Sequence, residues 1–120
     1  MDNISNEESL DSYLTTLSYL DEKHVESSDD QLKYIIDELE GDAYTFLHNF
    51  TVEKLVNEKL IPEAVIQKSE ILRTLVIDLI DRKSKLQEIR FDDEWKSARQ
   101  FAKELQELIR LYQEQKSTKM

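Results

Sequence analysis

Cysteine is absent from this sequence, and glycine and proline occur once each in 120 residues, as Gly41 and Pro62. Without cysteine there is no disulfide framework and no thiolate chemistry, which fits a reducing compartment. Ordinary globular chains hold roughly 7% glycine and 5% proline. Sheets need tight turns, and tight turns draw on those two residues. Their scarcity points to long helices joined by short polar links. The opening stretch MDNISNEESL is polar and acidic, with neither the basic nor the apolar region of a secretory signal. The longest strongly apolar segment, ILRTLVIDLI, is too short and too charged to span a bilayer. These absences give the expectation of a cytoplasmic protein without a membrane partner.

What is present in excess is negative charge. The chain carries a net charge of −10, unevenly placed. Residues 1–58 hold 15 Asp and Glu against 3 Lys and Arg, a net of −12. Residues 59–120 hold 11 against 13, a net of +2. One half is a polyanion and the other is nearly neutral. Such a field repels nucleic acid and anionic membrane and attracts cationic proteins.

Apolar residues recur at helical rather than alternating spacing. A length of 120 residues suits one domain, 1–120, with 1–5 and 116–120 expected to fray. Ser5 with Glu8 forms a capping box before a first helix of about 6–22, carrying Leu10, Tyr13, Leu14, Leu17 and Leu20. After the polar link KHVESSD, Ser28 with Gln31 opens a second helix of about 29–49. Its apolar set Leu32, Ile35, Ile36, Leu39, Ala43, Phe46, Leu47 and Phe50 keeps its period through Gly41. Thr51 is placed to cap a third helix of about 52–59, with Val52, Leu55 and Val56 inward. Pro62 suits the first turn of a fourth helix running to about 83. The segment SKLQEIRF is ambiguous between linker and extension. Asp92 is placed to cap a fifth helix of about 93–115, whose seam is Trp95, Ala98, Ala102, Leu105, Ile109 and Tyr112. The fold class expected is all-α, a single-domain bundle of about five helices.

No catalytic motif emerges. A dinuclear carboxylate site needs paired Glu-x-x-His motifs. Asp21 and His24 have such a spacing at a helix end but lack a twin, and His48 has no suitable carboxylate before it. DELEGD does not follow the calcium-loop pattern around its glycine. There is no nucleophile elbow, and one glycine cannot build a phosphate loop. The expectation is neither enzyme nor metalloprotein, with no cofactor. The basic residues of the last helix are offset by Glu94, Glu104 and Glu107, so a nucleic-acid footprint is not expected.

The segment YIIDELEGDAYTF, residues 34–46, stands out. On a helical wheel Tyr34, Gly41 and Tyr44 share one stripe, flanked by Asp37, Glu38, Glu40 and Asp42. Tyrosine is a preferred interface residue, carboxylates steer a cationic partner, and glycine leaves a notch for close approach. These seven residues are the candidate partner-binding site. The competing account places Tyr34 and Tyr44 against a neighbouring helix, with Gly41 permitting a close crossing. In that case the acidic linker Asp21–Asp30 becomes the candidate.

The segment DDEWKSARQFAKEL, Asp92 to Leu105, resembles the last helix of contact-dependent growth-inhibition immunity proteins. In size, charge and helical architecture the chain also resembles the small acidic helical immunity proteins of bacteria. The resemblance implies a stoichiometric inhibitor that binds a cognate basic toxin domain, a nuclease in the clearest cases, as a monomer or weak homodimer. The Tyr-Tyr-Pro signature of nuclease-colicin immunity proteins is absent, so no binding residue carries over from that family. The alternative is an acidic regulatory or phage protein that imitates nucleic acid, or a helical module that assembles with its own copies.

Overall fold

Leu10, Tyr13, Leu14 and Leu17 line the inner face of the first helix, α1 (Asn6–Ser18), in the computed structural model, which describes residues 6–118. Within that span the side chains of Asn6, Thr45, Phe46, Asn49, Ser117 and Thr118 are not described. The expected Ser5 cap and residues 119–120 lie outside the described residues. The further helices are α2 (Asp29–Phe46), α3 (Asn49–Asn57), α4 (Val65–Arg82), α5 (Leu86–Phe91) and α6 (Asp93–Thr118). A 3-10 helix, Glu22–Glu26, joins α1 to α2, and no strand occurs among the described residues. The architecture is the all-α bundle expected, with one more short helix than expected.

The differences from the sequence-based bounds have local causes. α1 stops at Ser18 rather than about 22. There the Ser18 hydroxyl donates to the Thr15 carbonyl and the Tyr19 N–H is shared between Thr15 and Thr16, which tightens the last turn. Asp21 then accepts from the Lys23 N–H and opens the 3-10 segment. α2 begins as expected, with the Ser28 hydroxyl accepting from the Gln31 N–H at 3.2 Å. It ends at Phe46 because His48 turns extended and becomes the cap of α3. Its Nδ1 accepts from the Phe50 N–H at 3.0 Å, in the role expected of Thr51. That break resets the helical phase. Phe50 therefore does not continue the buried face of α2, as expected, but is 76% exposed.

α3 closes with Lys59 in the left-handed region at φ 61°, and the Leu60 N–H donates back to the Leu55 carbonyl. This is a Schellman-type stop in which glycine is the usual occupant. A turn at Pro62 and Glu63 leads into α4, which starts at Val65, so Pro62 precedes the helix rather than sitting in its first turn as expected. The segment SKLQEIRF yields α5, with Ile89 buried and the Lys85 N–H capped by Glu88. Asp92 caps α6 as expected, accepting from the Glu94 N–H at 2.8 Å. α6 remains helical through Thr118, past the point where fraying was expected.

Packing follows the apolar stripes. α4 and α6 form the most extensive pair, α1 lies on α2, and α2 and α3 both pack on α4. The seam of α6 is buried from Trp95 through Ala98, Ala102 and Leu105 to Ile109, while Tyr112 at its end stays half-exposed. The buried Trp95 donates its indole N–H to the Lys83 carbonyl at 2.9 Å, joining the end of α4 to the start of α6. Lys83 itself pairs with Asp92 and Glu94. Arg99, also buried, donates to the Ile89 and Arg90 carbonyls and so satisfies the end of α5. Tyr13 and Ser69, both buried, share a hydrogen bond between α1 and α4.

Two outcomes follow from this packing. Lys59→Gly is expected to stabilise the fold by up to about 1 kcal/mol by relieving the left-handed backbone, read as a higher urea midpoint. Burial pushes the Tyr13 phenol well above its ordinary pKa of 10.0, opposed in part by Ser69. The raised folded value means that the unfolded chain loses this proton first. The Tyr13 contribution is therefore intact below about pH 10 and declines above it. Tyr13→Phe should flatten the alkaline limb of the stability–pH curve.

Candidate partner-binding face

Leu32, Ile35, Ile36, Leu39 and Ala43 are buried on α2, as is Leu47 at its C-terminal cap. Their burial against α1 and α4 turns the opposite side of the helix outward. Gly41 and Tyr34 lie near the middle of that outer side. The seven candidate residues cover an arc of about 200°, taking about 100° per residue. Tyr34 is 62% and Tyr44 53% exposed. A Cβ built on Gly41 meets nothing within 4 Å. The close-crossing account of this stripe is therefore wrong: α1 and α4 pack on the other side of the helix, and Gly41 faces open space.

The seven residues divide around the midline. Glu38 and Asp42, one turn apart, face α1, where Tyr19 adjoins them and Tyr34. Tyr34 and Gly41 lie nearest the middle, with Asp37 between Gly41 and the α4 side. Glu40 and Tyr44 face α4, where the Arg73 guanidinium lies over the Tyr44 ring, 5.8 Å from its centroid. At 1.5 Å per residue the two exposed tyrosines stand about 15 Å apart along the axis.

The ion pairs of the described residues lie away from this face. Ion pairs concentrate between residues 78 and 114, in Arg82 with Asp78 and Glu94, Lys83 with Asp92 and Glu94, and Arg110 with Glu107 and Glu114. Among the described residues, none of Asp37, Glu38, Glu40 and Asp42 has an ion-pair partner. The titration shifts agree. Asp78, Asp92, Glu94 and Glu107 are all held below the usual carboxylate range, first by hydrogen bonds from Arg or Lys. On the α2 face every resolved shift goes the other way. Burial and then the Glu38 charge raise Asp42. A hydrogen bond to Glu38 and its charge raise Tyr34. Burial raises Tyr19, followed by Asp42, Glu38 and Tyr34. Burial leads for Asp42 and Tyr19 and the hydrogen bond to Glu38 leads for Tyr34, with neighbouring negative charge adding to each.

Two members of this face were not found by sequence reasoning. Tyr19 had a weak signal, as an aromatic residue off the apolar stripe of its helix. Arg73 had none, since only the packing of α4 on α2 brings it to Tyr44.

The other places considered in the sequence carry less. Asp21 is engaged as a cap, His24 Nε2 lies 3.1 Å from the Ser18 carbonyl oxygen, and His48 caps α3. Among the described residues no three His, Asp or Glu side chains converge as a metal site would require. An open groove of about 930 Å³ runs along the acidic linker beside Phe91 and α6. Its acidic residues share it with Lys23, Arg90, Lys96 and Arg99, so its field is mixed in sign. No helix among the described residues is long and apolar enough to cross a membrane.

Gly41→Ala tests the geometry directly. The methyl enters open space in a helix interior, so the variant is expected to be more stable by up to about 1 kcal/mol in urea titration, with an unchanged slope. A loss of stability would place packed atoms over this position.

Comparison of the chain with models of protein families, with curated proteins and with solved structures gives no match, so the chemistry of this face carries the functional interpretation alone.

Proposed function

We propose that this chain is an immunity-type inhibitor that binds a basic protein toxin, a nuclease being the best-suited class, through the outer face of α2. Binding would be stoichiometric, without catalysis or cofactor, between partners in the cytoplasm. The acidic face would cover the toxin's cationic substrate groove or a site beside it. The observation that carries the proposal is the combination on one helix face of two exposed tyrosines with four carboxylates that have no ion-pair partner among the described residues. Exposed tyrosine supplies contact area at low entropy cost, and uncompensated carboxylates supply steering and register. A solubilising surface needs the charge but not the tyrosines.

The experiment is kinetic, with the chain and a basic nuclease toxin domain as the partner. Association is expected to slow by at least about tenfold from low to high salt as the Debye length shrinks from about 30 Å to about 3 Å. Dissociation should change much less. Tyr34→Ala and Tyr44→Ala should each weaken binding by about thirtyfold, the scale of a hot spot, with the melting temperature nearly unchanged. Asp37→Lys and Glu38→Lys should slow association. An on-rate indifferent to salt and to these four substitutions would remove α2 from the interface.

A further inference from the structure

We infer that the outward seam between α4 and α6 is a self-association surface, on which a second copy of this chain docks about a two-fold axis. The inference stands apart from the α2 face. α4 and α6 run antiparallel: Arg82 at the end of α4 pairs with Glu94 at the start of α6, and Tyr112 near the end of α6 reaches the Lys59 carbonyl ahead of α4. Lys68, Ile71 and Leu75 follow at helical spacing along one flank of α4. Phe101 and Leu108, two turns apart, lie along the facing flank of α6. The Lys68 ammonium sits over the Phe101 ring, 5.6 Å from its centroid, and joins the two lines. Leu75, Phe101 and Leu108 are half-buried on the core beneath, whereas Ile71 is 48% exposed. Arg73, which meets Tyr44 of α2, lies about 200° around α4 from Ile71, so the acidic face is on the other flank.

The charges beside Ile71 select the occupant. Lys68 has the Phe101 ring beneath it but no ion-pair partner among the described residues. Glu104, exposed and one turn beyond Phe101, accepts from the Gln100 side-chain amide and has no ion-pair partner among them either. The cross-seam contacts of Arg82 with Glu94 and of Lys68 with Phe101 bracket a register in which Lys68 stands level with Glu104, and Ile71 with Phe101. A two-fold axis along the seam lays α4 of each copy on α6 of the other. Lys68 then meets the other copy's Glu104 twice over, and Ile71 meets the other copy's Phe101, so the surface is its own complement. Two helices side by side, about 27 Å long and about 20 Å wide, offer about 500 Å² per copy and about 1,000 Å² in all, the lower limit of a specific interface, which makes the dimer weak and reversible. The seam lies in the half of the chain with a net charge of +2, so contact there brings little like charge together, whereas a cationic partner is drawn to the half at −12. Both α2 faces stay outward in such a dimer.

Sedimentation equilibrium of the whole chain tests this. Between about 10 µM and about 1 mM the apparent mass is expected to rise from the 14.2 kDa of one copy toward twice that value. Lys68→Glu places a carboxylate against Glu104 at both contacts of the dimer, and Glu104→Lys places an ammonium against Lys68 at both. Each variant alone is expected to associate at least about tenfold more weakly. Glu104→Lys lowers the net negative charge, so relief of general repulsion predicts the opposite sign for it. Mixed in equal amounts, the two variants bring opposite charges together at both contacts, and the dimer mass should return. Circular dichroism checks that each variant folds. Should either fail, Ile71→Glu replaces it, with the same loss of association expected. A mass of one copy at every concentration, a dimer that these substitutions leave intact, or weakened variants that do not associate when mixed would overturn the inference. None of these outcomes bears on the α2 face.

Discussion

Burial of the stripe from Leu32 to Leu47 against α1 and α4 is the constraint on which the rest of this molecule depends. A helix has one rotational setting once its apolar stripe is buried. With that setting chosen, Tyr34, Gly41 and Tyr44 face solvent, and the carboxylates around them take positions on either flank. No separate feature is needed to display the face. It is what remains of α2 after the core has taken its share.

The two halves of the chain divide the work. In the nearly neutral half, cations are spent on structure. Lys83 draws Asp92 and Glu94 to the α4–α6 corner, Trp95 closes that corner on the Lys83 carbonyl, and Arg99 and Arg90 satisfy carbonyls at the end of α5 and in the 3-10 link. Arg90 also reaches Asp29 at the start of α2. The carboxylates in the middle of α2 receive no such attention. Asp78, Asp92, Glu94 and Glu107 are held below the usual carboxylate range by Arg82, Lys83 or Arg110, whereas Asp42 is raised, by burial first and then by the Glu38 charge. An acidic surface left uncompensated beside a well-compensated scaffold costs self-repulsion, which a binding role would offset.

Much of this was legible in the residues. The Ser28 and Asp92 caps, the seam from Trp95 to Ile109 and the stripe of α2 follow from helical spacing and cap chemistry, which act over four residues. Phe50 shows where that reach ends. Its spacing extends the α2 stripe without a break, and nothing local announces that His48 will leave the helix and cap the next one. The stop at Lys59 was equally hidden, because a left-handed lysine lacks the glycine that usually marks such an end. α5 stayed ambiguous because six residues are too few to set a period.

The sequence by itself determined the helical class, the main stripes that are buried and the placement of negative charge in the first half of the chain. These depend on residue type and on spacing within a turn or two. Tertiary structure alone decided that Gly41 lies in open space rather than at a crossing, that Tyr19 adjoins the acidic stripe, and that Arg73 covers Tyr44 with its Nε unpaired. Each of those facts depends on which side of one helix another helix occupies. That choice is made by the fit of many buried side chains at once, and no short stretch of the chain contains it.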